Sequence, residues 1–350
     1  MKTYDALARL PFAVESYALE GRAQPVSSGF TRRTTVIRLA GEGLEGVGED
    51  VTYDEADQLA FQEDGQELPL AGRFTVASFS RRLDDLDLFP TGPASEAFRN
   101  YRRWAFESAA LDLALRQAGR TLADALERKP RPVTFVVSLR LGEPPSAEPL
   151  HRWLSLYPDL RFKLDATSSW DDELVAELAA LDAVDAIDLK GAYHGTIVDQ
   201  PADPALYRRV ATAFPEAWLE DPALTPETEA VLLPHRDRIT WDAPIHSVAD
   251  IEALPFRPRT LNVKPSRFGS LSALAATYDH CAAKGIGAYG GGQFELGPGR
   301  GQIQYLASLF HPDASNDVAP SGYNEGAAAP GLPTSPLAPA AADTGFRWVG

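Results

Sequence analysis

Four short stretches in the second half of the sequence each end in a residue that can do chemistry: Ala186-Ile-Asp-Leu-Lys190, Trp218-Leu-Glu-Asp-Pro222, Ile239-Thr-Trp-Asp-Ala243 and Leu261-Asn-Val-Lys-Pro265. Each is a few apolar residues running into an acid or a lysine, the pattern of a buried parallel strand whose C-terminal tip opens onto a common face. Asp188, Glu220 and Asp242 are hard oxygen donors, and three carboxylates with water or substrate oxygens complete an octahedron around Mg²⁺, with Mn²⁺ as an alternative. No Cys or His clusters near these positions, which disfavours zinc. Lys264, on the next strand, then lies beside the ion. The pKa of a desolvated lysine near a cation falls from about 10.4 toward the range of about 7 to 8 where it works as a base. Ion and neutral lysine together suit removal of a proton α to a carboxylate. A single Asp at a strand end is more often a helix N-cap, the role expected of Asp182 and Asp185. Three successive buried tips each bearing an unpaired charge are harder to explain without a ligand.

The steps from Asp188 to Glu220, Asp242 and Lys264 are 32, 22 and 22 residues, each enough for a strand, a returning helix and two loops. Thr134 to Leu139 and Arg161 to Leu164 supply two earlier strands, and Gly285 to Tyr289 a later one. Helical segments at Asp171 to Leu181, Pro204 to Ala213 and Ser270 to Lys284 lie between. This alternation predicts a (β/α)7-8 TIM-like barrel over 128–324. No G-x-G-x-x-G opens the first crossover helix, which weakens a doubly wound sheet. Ahead of the barrel, Phe12 to Leu19 and Thr34 to Leu39 read as strands joined by a loop over Gly21 to Phe30, with a third short strand after Gly41 to Gly48. Ser95 to Leu126 carries the strongest helical pattern, with Gly119 a plausible stop. The first part, 1–127, therefore reads as an α+β domain, and the aromatic pair Phe346 and Trp348 suggests that 325–350 packs back on it.

The bulk properties narrow the function. The chain has 350 residues, enough for a barrel and a second domain, and 44% of them are apolar. A net charge of −16 spread along the chain argues against a nucleic-acid partner. Cys281 is the one cysteine and reads as small-residue packing. The first twenty residues lack an uninterrupted apolar region, and no stretch reaches the length of a membrane span, so no membrane partner and a cytoplasmic protein are expected.

The stretch Leu219-Glu-Asp-Pro222, followed by Thr240-Trp-Asp-Ala243 and Val263-Lys-Pro-Ser-Arg-Phe-Gly269, resembles the enolase superfamily. The likeness is to its muconate-lactonizing branch, with the o-succinylbenzoate synthases and dipeptide epimerases, and it covers nearly the whole chain. Tyr101 to Ala114 is similar to the helix that closes that family's capping domain, and Gly291-Gly-Gln-Phe-Glu295 to its glycine-rich seventh strand end. The resemblance implies Asp188, Glu220 and Asp242 as Mg²⁺ ligands and Lys264 as a catalytic lysine. It further implies abstraction of an α-proton to an enediolate, a small carboxylate substrate and a homo-oligomer.

The second strand departs from the family pattern. Arg161-Phe-Lys163-Leu-Asp165 stands where the branch has Lys-x-Lys, and Asp188-Leu-Lys190 where it has Asp-x-Asn. By strand parity Lys163 and Asp165 share a face. Three roles stay open for Asp165: an ion pair with Lys163 or Lys190, a second acid/base, or the mark of a site that has lost the ancestral reaction. The working assignment makes Lys264 the base and Asp165 or Lys163 the opposing acid, in a lyase or isomerase. Lys190, Glu295 and Arg32 are candidate substrate contacts, Arg32 for a distal carboxylate. His194, His246 and His280 have no spaced partners and read as surface or supporting residues. Two rivals stand beside this reading: a degenerate barrel that binds a carboxylate or metal without turnover, and a metal-independent glycoside hydrolase using Glu220 and Glu295.

Overall fold

A computed structural model describes every residue except 1, 27–29, 64–67, 194–197, 326 and 350; His194 and the tip of the Gly21 to Phe30 segment lie outside the described residues. The chain opens with a three-stranded antiparallel sheet, β2 (Ser16–Pro25), β3 (Thr31–Gly41) and β4 (Leu44–Asp50), beside a second pairing of β1 (Pro11–Val14) with β5 (Gly72–Thr75). The helices of this part are α1 (Glu55–Glu63), α2 (Val76–Asp84), α3 (Ala97–Gln117) and α4 (Leu122–Leu126). Helix α3 lies directly on β4 because both surfaces are flat. A Cβ at Gly48 would meet the Ala105 carbonyl oxygen at 2.0 Å, and one at Gly46 the Ala109 carbonyl oxygen at 2.2 Å. No side chain fits between them.

The loop expected over Gly21 to Phe30 is shorter than its composition suggests. Strand β2 continues to Pro25, with Arg22, Ala23 and Gln24 opposite Thr34, Arg33 and Arg32. Ladder hydrogen bonds there outweigh the turn-forming residues.

The second part alternates strand and helix. Strands β6 (Val137–Leu139), β7 (Phe162–Asp165), β8 (Val184–Asp188), β9 (Trp218–Glu220) and β10 (Ile239–Thr240) form one parallel sheet, and β11 (Thr260–Val263) pairs in parallel with β12 (Gly287–Gly290). The intervening helices are α5 (Glu148–Leu156), α6 (Asp172–Ala180), α7 (Pro204–Ala213), α8 (Pro226–Leu232), α9 (Val248–Ala253), α10 (Pro265–Phe268), α11 (Leu271–Lys284) and α12 (Pro298–Phe310). Single bonds close the ring. Asn262 N donates to Trp241 O at 3.0 Å, joining β10 to β11, and Asp317 N to Gly290 O at 2.8 Å continues from β12. Val136 N to Asn316 O at 2.8 Å returns to the start. The architecture is thus a (β/α) TIM-like barrel with an N-terminal α+β domain.

Local capping explains where the helices begin. Asp171 and Asp203 accept amide bonds at the starts of α6 and α7, and Ser247 and Ser270 do so for α9 and α11. Asp182 and Asp185 do not cap: Asp182 sits in a left-handed turn (φ 49°), and Asp185 lies within β8, paired with Arg161 at 2.7 Å. The last residues reach across both parts. Phe346 packs on Trp104 and Tyr305, Arg347 Nε lies 2.8 Å from Asp112 Oδ2, and Leu337 exchanges main-chain bonds with Val133. Among the described residues, no helix is long and apolar enough to cross a membrane.

Candidate active site

The parallel register places the reactive residues in one layer. Asp165 lies opposite Asp188, and Asp188 opposite Glu220, so the tips of β7, β8 and β9 end level. Asp242 lies two residues beyond the end of β10, and Lys264 directly follows β11. Asp188, Glu220, Asp221 and Asp242 are completely buried, and Lys163 and Lys264 nearly so.

Each acid has protein partners. Lys163 Nζ bonds Glu220 Oε1 and lies 3.3 Å from Asp188 Oδ2 and 3.7 Å from Asp317 Oδ2. Glu220 Oε2 accepts from the Tyr289 hydroxyl and from Asn262 Nδ2 at 3.5 Å. Asp242 Oδ2 is 2.7 Å from Lys264 Nζ and accepts from the Tyr193 hydroxyl at 2.9 Å and from Arg267 at 3.3 Å. Lys190 grips Asp188 twice, its amide donating to Oδ1 at 3.1 Å and its Nζ to Oδ2 at 2.5 Å. Its Nζ is also 3.3 Å from Asp165 Oδ1, and Arg140 Nε holds Asp165 Oδ2 at 3.0 Å. Of the open roles for Asp165, the structure shows the ion pair with Lys190; Lys163 points deeper.

The electrostatics follow from this crowding. Burial opposes charge on Lys163, yet Glu220, Asp188 and Asp317 hold its amine well above the lysine range. Burial pushes the Glu220 carboxyl up to about 8 despite Lys163, and Asp188, Asp242 and Asp221 add to the push. Asp221 rises to about 7, through burial and then the charges of Asp242 and Asp188. Asp188 and Asp242 move the other way: burial is outweighed at Asp188 by Lys190 and Lys163, and at Asp242 by Arg267 and Lys264.

A hard divalent cation suits this donor set. The donors are carboxylate oxygens, and one oxygen each from Asp188, Glu220 and Asp221 lies within 4.8 Å of the others. The grouped third acid is Asp221 rather than Asp242, but both Asp221 oxygens already accept amides, from Asp242 and Ala243 at 2.8 Å. Asp242 Oδ1 is buried and accepts no hydrogen bond, although Arg267 Nε stands 3.2 Å away. Among the described residues, six carboxylates (Asp165, Asp188, Glu220, Asp221, Asp242 and Asp317) face the four cations Lys163, Lys190, Lys264 and Arg267. Two negative charges are left over, or one when the rim residue Arg140 is included. Surplus negative charge in a buried cluster favours a bound cation or a bound proton, and the raised Glu220 and Asp221 express the second.

Four residues singled out in the sequence sit elsewhere than at the centre. Arg32 is almost wholly buried, and its guanidinium donates to the main-chain oxygens of Val51, Thr52, Gln293 and Phe294. Four of its five N–H donors go to these carbonyls, so it joins the N-terminal part to the loop after β12. Glu295 accepts from Gln293 N at 2.7 Å and has Arg300 3.1 Å from its other oxygen, so it braces its own loop. His246 is part-buried near Asp250, and His280 faces Glu252 at 4.0 Å.

Several participants went unread in the sequence. Asn262 is two residues before Lys264, so strand parity puts it on the same face. Arg267 is one helical turn beyond, and Asp221 stood inside the quoted Glu-Asp-Pro. Tyr193, Tyr289 and Asp317 carried no local signal. Backbone conformation marks the layer too: Lys190, Asp221 and Phe294 have φ of 51°, 49° and 55°, sparsely populated values for residues other than glycine.

Comparison with solved structures shows the fold. The fold is that of the enolase superfamily: a member from Listeria innocua Clip11262 superposes with a TM-score of 0.68 at 20% identity, covering 89% of this chain and 86% of that one. Muconate cycloisomerase from Pseudomonas fluorescens gives 0.63 at 18% identity, with 88% and 87% covered, and an L-Ala-D/L-Glu epimerase 0.62 at 18%, with 94% and 98% covered. The chain belongs to the family described as domain of unknown function DUF8230, whose N-terminal domain matches residues 5–125 and C-terminal domain residues 129–325. No curated protein matches the sequence.

Proposed function

We propose that this protein is a divalent-metal-dependent enzyme that removes the α-proton of a small carboxylic acid. Asp188, Glu220 and Asp242 would hold Mg²⁺, or Mn²⁺ in its stead, and Lys264 is the base. The observation that carries the reading is the buried layer of strand-tip acids with surplus negative charge, closed on one side by Lys264 2.7 Å from Asp242. When bound, the ion supplies stabilisation of the negative charge that grows on the substrate carboxylate as the proton leaves. Lys264, rooted between β11 and α10, reaches the α-carbon from one side and, in its neutral amine form after giving up a proton to solvent, takes the α-proton onto Nζ. On the opposite arc, Lys163 and Lys190 present ammonium groups from β7 and from just beyond β8; these orient the carboxylate and supply a donor there. Return of the proton makes the enzyme an isomerase, and loss of a neighbouring group makes it a lyase. The names of the solved neighbours, a cycloisomerase and an epimerase, agree with chemistry of this kind.

A second reading is a barrel that binds a carboxylate without turnover, favoured by the Lys190–Asp188 pair at 2.5 Å. Incubation in D₂O with a panel of acid sugars, dipeptides and succinyl-amino acids separates the two. Deuterium incorporation that stops with EDTA and returns with Mg²⁺ supports the enzyme. Incorporation indifferent to EDTA contradicts the ion's role, and no incorporation despite Mg²⁺ binding supports the binding protein.

A further inference from the structure

The Lys190 ammonium makes several contacts at the site. Its amide and its Nζ both donate to the Asp188 carboxylate, at 3.1 and 2.5 Å, and the Nζ lies 5.0 Å from the centre of the Tyr193 ring. The backbone cannot yield easily. Lys190 has φ of 51°, Gly191 N donates to Asp221 O at 2.8 Å, and a Cβ at Gly191 would meet Ala223 N at 2.2 Å. A second seat for the ammonium lies beside the first. Asp165 Oδ1 is 3.3 Å from Lys190 Nζ, is buried, and accepts no hydrogen bond, while Arg140 holds the other oxygen of that carboxylate at 3.0 Å.

We propose that Lys190 is a built-in competitor for the divalent-cation position: its ammonium covers Asp188 until an ion arrives, then moves onto Asp165. The inference rests on the ion-binding reading of Asp188, Glu220 and Asp242. Asp188 Oδ2 already faces two ammonium groups, Lys190 at 2.5 Å and Lys163 at 3.3 Å, and a divalent ion added beside both would meet strong repulsion, so an ion held by the Asp188 carboxylate would displace the nearer ammonium, that of Lys190. Asp165 lowers the cost of that exchange by accepting the displaced ammonium with the oxygen that already forms a 3.3 Å ion pair with it and accepts no hydrogen bond. Lys190 and Asp165 are therefore positioning residues that set ion affinity. The exchange also moves a cation toward the β7 side of the mouth, across from Lys264.

The test is ion binding by the full-length protein, with Mg²⁺ followed by calorimetry and Mn²⁺ by loss of its free-ion EPR signal. Lys190→Asn should tighten both ions by about tenfold or more, because the competing charge is gone. Asp165→Asn should weaken them severalfold, because the displaced ammonium loses its seat. These opposite signs keep the test decisive if one variant folds poorly. Wild-type binding that Lys190→Asn leaves within about twofold, or tightening by Asp165→Asn, overturns the competitor role while sparing the ion site. If neither wild type nor Lys190→Asn binds either ion, the ion site falls and the competitor role falls with it.

Discussion

Replacing Arg32 separates a clamp from a substrate contact. Its guanidinium donates to Thr52 O at 2.7 Å, Gln293 O at 3.0 Å and Phe294 O at 3.4 Å, and also to Val51 O, and it stacks 4.2 Å over the Tyr53 ring. A hydrogen bond to a charged donor is worth about 1.5–3 kcal/mol, and a buried carbonyl left without a donor costs about 1–3 kcal/mol. Three bonds are well formed and the longest counts little. Removing a buried guanidinium recovers part of its desolvation cost, and the contributions are not additive. Arg32→Met should therefore lose about 3 kcal/mol of unfolding free energy. Arg32→Lys should recover only part of this, because one ammonium cannot span carbonyls from two loops. Urea unfolding of the three proteins measures the loss. Equal stability within about 0.5 kcal/mol, combined with a raised KM for the carboxylate substrate, would refute the clamp and restore Arg32 to the binding site.

Three further outcomes are expected. His311 has Nδ1 2.6 Å from Asn316 Oδ1 and Nε2 3.1 Å from the Tyr278 hydroxyl, and burial pulls its pKa down to about 4. Between that value and about 6.5 the unfolded chain binds the extra proton, so stability rises with pH there and about 3 kcal/mol is lost on acidification from pH 7 to 4. His311→Asn should remove this part of the slope, read from urea unfolding at several pH values; an unchanged slope counts against it. Gly291→Ala places a Cβ 2.6 Å from Lys264 Cε and from Asn262 Oδ1, so it should cut α-proton exchange by about a hundredfold while unfolding changes far less. Exchange at the wild-type rate would mean that Lys264 is not confined there. Arg347→Met leaves the buried Asp112 carboxylate without its cation, 2.8 Å away, and should cost about 3 kcal/mol with exchange kinetics intact; calorimetric unfolding together with the exchange rate checks both halves.

The barrel was legible because its strands are short apolar runs that end in polar residues at spacings a βα unit requires. The layer Asp188, Glu220, Asp242 and Lys264 follows from that pattern alone. Pairing across the layer does not. Lys163 facing Glu220, and Lys190 facing Asp165, depend on side-chain reach between neighbouring strands. Asp317 was invisible because its stretch makes single bridges rather than a strand. The contacts of Arg32 were hidden for a related reason. Two adjacent arginines look alike in sequence, yet Arg32 turns inward to four carbonyls while Arg33 turns outward to Glu55. The extent of β2 was hidden by turn-forming residues that the ladder to β3 overrides.

The central claim is that Lys264 removes an α-proton at this mouth. Proton NMR of a small carboxylic acid turned over in D₂O with Mg²⁺ tests it most directly, comparing wild type with Lys264→Ala. The account predicts loss of the α-proton signal with wild type and its full retention with Lys264→Ala, whose circular dichroism and unfolding remain those of a folded barrel. Undiminished exchange by folded Lys264→Ala would contradict it.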